Sequence, residues 1–289
     1  MKLFRPLVCL AAGLGLSHFA SAQTTLFSQN FDTLGATSPI TNSTGTTSTQ
    51  ISNVNSTLGS GTGLFNYRLG SQQTLSIADK TGGNYALRLT DNNTTANDST
   101  ISRNFTGVST TGTGANIISG SFDYTPLTLS TGSRGDLVFS IATTGQSTPS
   151  GGTSAVQLTF SGGLGIIYNN GSSAITAVPT LSIGVTYRIN ITADFSSDTQ
   201  DTWGFNIINT SNSTELLSVI GISTRAANIT PGSIFLAAGL NPGRISSDPH
   251  VELDNINFVS TSAIPEPGTY ALILGAGSLM AVALRRRRR

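Results

Sequence analysis

The sequence predicts an all-β protein, a single antiparallel sandwich over residues 23–262, and three observations lead there. Apolar and polar residues alternate over strand-length segments through nearly the whole middle of the chain. Clusters of Gly, Asn, Asp, Ser and Thr separate those segments. No stretch before residue 270 shows a sustained helical period with caps. Composition agrees: 37% of the 289 residues are hydrophobic, enough for a sizeable core, and 32 Gly with 10 Pro stay below the share that marks low-complexity chain. Only 10% are charged, and 15 Lys+Arg against 14 Asp+Glu leave a net +1, which excludes a basic nucleic-acid binder. The single cysteine excludes a disulfide framework.

Residues 1–22 read as a secretory signal peptide. Lys2 and Arg5 form the charged start, Leu7 to Leu16 the apolar run, and Ala20-Ser21-Ala22 the small residues signal peptidase requires, with Ala20 and Ala22 at its site. Cleavage leaves Gln23 first. The run is shorter than a membrane-spanning helix needs, and Val8 before Cys9 is not the small residue of a lipoprotein site. The mature chain then holds no cysteine, so its core must hold the fold unaided.

The strand-like segments follow in order: Thr74 to Ala78, Tyr85 to Leu89, Leu137 to Ile141, Val156 to Phe160, Tyr187 to Ile191 and Trp203 to Ile207. Asp91 to Asp98, Gly112 to Asn116, Ser147 to Thr153 and Asn169 to Ser173 read as the polar separators, and roughly a dozen short strands are expected. The chain opens with Leu26-Phe27-Ser28-Gln29-Asn30-Phe31-Asp32 and closes with a strand from His250 to Phe258, so first and last strands are expected to pair. Gly184 to Asp194, a polar turn from Phe195 to Thr202 and then Trp203 to Ile208 form a hairpin. That hairpin and the closing Leu253-Asp254-Asn255-Ile256 resemble those of concanavalin A-like and laminin G-like jelly rolls. The resemblance implies a jelly-roll-like sandwich.

Chemistry is sparse in this middle region, which carries 8 basic against 13 acidic residues. Its glutamates are Glu215 and Glu252, and the Glu-x-Asp-x-x-Glu pair that jelly-roll glycosidases place on one strand is absent, leaving only aspartates paired from different strands. His250 is its one histidine, in a Ser-Ser-Asp-Pro-His segment that reads as a solvated loop, and no His/Cys cluster exists for zinc. No catalytic residue and no cofactor are expected. Calcium has two weak candidate sites, Asp91-Asn92-Asn93 with Asn97-Asp98, and Asp194, Asp198 and Asp201 in the hairpin turn. Neither follows the EF-hand spacing, and turn geometry is the competing account. Trp203 sits at an alternate strand position, which predicts core packing rather than a sugar-stacking face.

Residues 263–289 carry the most information. Pro265-Glu266-Pro267 precede an apolar run from Tyr270 to Leu284 and then five arginines, Arg285, Arg286, Arg287, Arg288 and Arg289. Fifteen helical residues span about 22 Å, short of the roughly 30 Å hydrocarbon core, a gap that snorkelling arginines cover. The arginine cluster is retained in the cytoplasm and everything upstream is held outside. This order resembles the PEP-CTERM sorting signal of Gram-negative, exopolysaccharide-producing bacteria. The resemblance implies recognition by an exosortase, processing near Pro265 to Pro267, and release or attachment at the cell surface. The two prolines keep the chain extended there as a protease handle. The expectation is thus an exported envelope or matrix protein, transiently anchored in the inner membrane. Signal peptidase and exosortase are its export partners, with no nucleic-acid partner. The reading that follows for the sandwich is noncatalytic, polysaccharide-binding and biofilm-associated. A polysaccharide-degrading enzyme on the same fold and a purely structural coat protein are the alternatives.

Overall fold

The alternating segments pair into strands throughout the described part of the chain. A computed structural model describes residues 23–32, 40–41, 44–45, 65–69, 73–91, 99–106, 108, 115–129, 136–144, 152–162, 165–177, 179, 181–197, 200–226, 229–238 and 249–262. Gln23–Ala263 form one compact unit. Its strands are β1 Gln23–Gln29, β2 Ile40–Thr41, β3 Thr44–Gly45, β4 Phe65–Arg68, β5 Gln73–Thr81, β6 Asn84–Asp91, β7 Ser99–Asn104, β8 Ala115–Pro126 and β9 Leu137–Ala142. They continue with β10 Ser154–Ser161, β11 Gly165–Asn170, β12 Ser173–Ala177, β13 Tyr187–Asp194, β14 Thr202–Asn209, β15 Thr214–Ser223, β16 Ser233–Ala238 and β17 Pro249–Ser262. No helix occurs among the described residues.

Two antiparallel sheets result. One has the order β15-β14-β13-β8-β17-β6-β5-β2, with β1 also on β17; the other runs β12-β11-β10-β9-β16-β7-β4-β3. From β6 to β9 the chain alternates between sheets, and it returns so that β16 lies between β7 and β9 while β17 lies between β6 and β8. That nested return is a jelly roll. First and last strands do pair, from Gln23 opposite Thr261 to Gln29 opposite Ile256. The expected hairpin is β13–β14, closing with Asp194 opposite Thr202.

The strands outnumber the expected dozen for identifiable reasons. β2 and β3 are two-residue pairings, too short to carry a period, and β12 is exposed along nearly all its length, so it has no buried face to read. Two separators also shrink. Asn116 is buried inside β8, where its carbonyl accepts the Phe195 N–H, and Asn169, Asn170 and Ser173 all belong to the β11–β12 hairpin. Ladder pairing outweighs the turn preference of Asn at these positions. His250 likewise lies in β17 rather than in a loop.

The core fills the space between the sheets. Its centre is an aromatic stack: Phe139 of β9 lies 5.4 Å from Phe122 of β8 and 5.3 Å from Phe258 of β17, ring centre to ring centre. Phe160 of β10 meets Phe122 edge-on at 6.5 Å and Tyr124 at 4.9 Å. Trp203 joins a second group with Phe205, at 5.5 Å, and Tyr168, and is 2% exposed, as its strand position predicts.

β17 reaches this core by changing phase. Val251 and Leu253 point inward, Asp254 and Asn255 both miss the core, and Ile256 and Phe258 point inward again, because the register against β8 slips between Asp254 and Asn257. This is a β-bulge, with Asn255 in the left-handed region at φ 47°. Past the bulge Phe258 lies directly opposite Gly120, where a Cβ would come within 2.2 Å of the Asn257 carbonyl oxygen and 2.5 Å of the Phe258 ring. Only glycine permits that approach. Gly120→Ala is expected to destabilise the unit by about 3 kcal/mol or more, whereas Gly152→Ala, which meets nothing within 4 Å, should leave stability within about 1 kcal/mol of the parent. Urea titrations of the two variants check this.

Candidate functional site

Strand register sets the outer face of the nine-stranded sheet. On β13, Tyr187, Ile189, Ile191 and Ala193 are buried, so Arg188, Asn190, Thr192 and Asp194 point outward. Pairing then aligns one row across five strands: Asn257 of β17 opposite Ser121 of β8, Ser121 opposite Asn190, Asn190 opposite Asn206 of β14, and Asn206 opposite Ser218 of β15. At about 4.8 Å per strand the row runs roughly 19 Å. Every member is an amide or a hydroxyl. The middle is pre-ordered, since Asn190 Nδ2 donates to Asn206 Oδ1 at 2.7 Å and Asn206 Nδ2 donates to Glu215 Oε2 at 2.9 Å.

Each end of the row opens into a depression. At the β14–β15 end, a groove of about 510 Å³ is lined by Asn190, Thr192, Asn206, Ser218 and Ile220, with Gly204 as part of its floor. A Cβ on Gly204 would lie 2.8 Å from the Val219 carbonyl oxygen, so the bulge that brings β15 close demands glycine and leaves the groove unfilled. Ile220 is 86% exposed beside it. At the β17 end, a cavity of about 760 Å³ is lined by Ser28, Gln29 and Asn30 after β1, Ser121, Arg188 and the Asn255–Asn257 segment. Both volumes lie in the range that holds small ligands.

Beneath the second cavity two carboxyl groups face each other, Asp123 of β8 directly opposite Asp254 of β17. Like charges so placed are destabilising, and the neighbours answer each in turn. Asp123 accepts from Arg188, Nε to Oδ1 at 2.9 Å and Nη2 to Oδ2 at 3.0 Å, and from Asn255 Nδ2 at 2.9 Å. The pair with Asp123 holds the Arg188 guanidinium above its ordinary pKa, against the effect of its own partial burial. Burial pushes the Asp254 carboxyl up to about 6, and the charges of Asp32 and Asp123 add to that; the Asn255 N–H, bonded to its Oδ1 at 2.7 Å, and Lys80 oppose it. Two residues back along β17, Glu252 is buried and paired with Arg88.

These residues bear on the chemistry that the sequence left open. Paired aspartates from different strands exist, but they are 6% and 4% exposed and tied into the sheet. Their signal in the sequence is the spacing of apolar residues in β17: Val251 and Leu253 are two apart, Leu253 and Ile256 three apart. The calcium candidates fare differently. Asp194 ends β13 and its Oδ1 accepts the Ser196 N–H at 2.8 Å, an Asx turn. Asp201 is 2% exposed, its Oδ1 has no hydrogen-bond partner among the described residues, and burial, with the Asp194 charge, raises its pKa against a backbone hydrogen bond from Ser197. Asp198 and the Asn92–Asp98 loop lie outside the described residues. Among the described residues no group of three or more His, Cys, Asp or Glu side chains is placed to hold a metal. Ala20, Ala22, Pro265 to Pro267, Arg285 to Arg289 and the His250 side chain also lie outside them.

The end of the chain matches a known family. Residues 263–288 fit the PEP-CTERM protein-sorting motif, a stretch that holds Pro265, Glu266, Pro267 and four of the five arginines. The motif implies export and sorting by an exosortase. The PEP-CTERM motif signals export and membrane-anchored sorting in Gram-negative bacteria. No curated protein is similar to the chain in sequence. Among solved structures, the PL-14 alginate lyase of Aplysia kurodai is similar at a TM-score of 0.49 and 10% identity, over 82% of this chain and 99% of that one. A carbohydrate esterase of the Shiga toxin-encoding bacteriophage phi24B gives 0.47 and 9%, over 84% and 100%. The lectin UEA-II, complexed with galactose, gives 0.44 and 16%, over 67% and 92%.

The Asp254 carboxyl generates a test of its own. Between pH 4 and 6 the folded chain keeps a proton that the unfolded chain has released, so stability falls as pH rises through that window and levels off above about 6. The loss is on the order of 2–3 kcal/mol. Asp254→Asn, whose Oδ1 can still accept the Asn255 N–H, should flatten this segment of the profile in urea titrations between pH 4 and 7.

Proposed function

We propose that the sandwich is a noncatalytic, polysaccharide-binding protein of the cell surface or biofilm matrix, exported under a signal peptide removed after Ala22. The observation that supports the reading is the registered row Asn257, Ser121, Asn190, Asn206, Ser218. A sugar hydroxyl both donates and accepts, and amide and hydroxyl side chains offer both functions. A row with an open depression at each end suits a chain of such units better than one small molecule. The low charge of the protein fits a ligand recognised by many modest hydrogen bonds rather than by ion pairs.

A polysaccharide-degrading enzyme is the second reading, and the facing pair Asp123 and Asp254 favours it, since glycoside hydrolysis uses two carboxyl groups. Their burial under Arg188 and Asn255 supports the noncatalytic reading instead, because a general acid must reach the bond it protonates.

The compact unit 23–263 contains every described core residue, so it can be assayed alone. Incubated with the producing organism's exopolysaccharide, it should sediment with the polymer and release no new reducing ends. The double variant Asn190→Ala/Asn206→Ala should bind about tenfold more weakly, as expected for losing two hydrogen bonds. Newly formed reducing ends that disappear in Asp123→Asn would establish the enzyme reading instead. Processing has a separate readout. Intact mass of the surface or secreted protein should begin at Gln23 and lack Arg285 to Arg289, and retention of the arginines would contradict removal of the sorting signal.

A further inference from the structure

We infer that the cavity at the β1–β17 end of the row is a binding subsite for one neutral, hydroxyl-rich sugar unit, held by Arg188 and the amides of Asn30, Asn255 and Asn257. The inference rests on the polysaccharide-binding reading of the row and assigns to this end its ligand class. Two features point to it.

The first is the lining. Apart from Ile256, whose side chain is buried in the core, every residue around the cavity of about 760 Å³ is polar: Ser28, Gln29, Asn30, Ser121, Arg188, Asn255 and Asn257. An apolar or aromatic ligand finds no matching surface there. The second is pre-organisation. Arg188 keeps 47% of its side chain exposed while Asp123 grips it through Nε and Nη2, so two of its five N–H donors are committed and its plane is fixed. Asn255 Nδ2 bonds the same carboxylate, which ties the bulge to the arginine.

Charge selects the ligand class. Asp123 neutralises Arg188, and the Asp254 carboxyl lies within electrostatic reach of both, with Asp32 and Lys80 acting on it in opposite directions. The cavity therefore carries no surplus positive charge, and a uronate or sulfated sugar meets a carboxylate-backed wall. A neutral sugar, whose hydroxyls accept from Arg188 and exchange bonds with the three amides, meets none.

The test uses unit 23–263 against neutral hexose and pentose polysaccharides and polygalacturonate, with affinity read by calorimetry or gel retardation. Asn257→Ala removes an exposed amide, and Asn255→Gly removes another while keeping the left-handed backbone that glycine adopts freely. Expected are binding of at least one neutral polymer, a roughly fivefold to tenfold loss in each cavity variant, an unchanged urea midpoint for Asn257→Ala and a lowered one for Asn255→Gly, which also gives up the bond to Asp123, and weaker binding of polygalacturonate. Cavity variants that bind as the parent does, while Asn190→Ala/Asn206→Ala loses binding, would overturn the subsite and leave the row. Tighter binding of polygalacturonate would overturn the ligand class. Binding of no polymer at all would remove both the row reading and the subsite.

Discussion

The fold and its outer face both depend on how β17 lies against β8. β17 is the last strand in sequence, yet it sits inside its sheet, against β8 along its length, against β6 in its first half and against β1 in its second. A strand in that place must send every second side chain into the core. The sequence Val251-Glu252-Leu253-Asp254-Asn255-Ile256-Asn257-Phe258 can do so only by slipping one residue, and the slip falls at Asp254 and Asn255. Gly120 accommodates the result by leaving room for the Phe258 ring, which completes the stack with Phe139 and Phe122. A cysteine-free domain has no covalent staple to hold such a joint; packing alone must do it.

The same slip shapes the surface. It places Asp254 and Asn255 consecutively away from the core, opposes Asp254 to Asp123, and so calls for a cation and donors nearby. Arg188 and Asn255 supply them, and both border the cavity as a consequence. It also resets the register so that Asn257 faces Ser121 and begins the row that runs through Asn190 and Asn206 to Ser218. Core packing, the buried carboxyl pair and the polar row are therefore three results of one inserted residue.

Much of this was legible in the sequence, and the boundary is physical. Strands such as Tyr187 to Ile191 declare themselves because one face is buried and the period of two is unbroken. The pairing of the terminal strands and the β13–β14 hairpin followed from the order of segments, and the core position of Trp203 from its alternation. The exposed β12 left no trace, because a strand without a buried face has no hydrophobic period. The row was not legible at all: it is made by register between strands as far apart in sequence as Ser121 and Asn257, and register across such distances is fixed by core packing rather than by local pattern. The bulge lay between these cases, visible as the three-residue spacing from Leu253 to Ile256 beside an Asp-Asn pair, a combination that marks a phase slip within a strand.

The position of β17 also bears on export. The nine-stranded sheet lacks a central member until residue 262 is available, since β6, β8 and β1 all await the same strand, and the Phe139 stack lacks Phe258 until then. Contacts this distant in sequence form late and close expensive loops. The sorting motif begins at residue 263, one position after β17 ends. The strand that completes the sheet and the sorting motif are therefore neighbours in sequence, so a chain emerging N-terminus first completes its fold only when the residues next to the motif are free to pair.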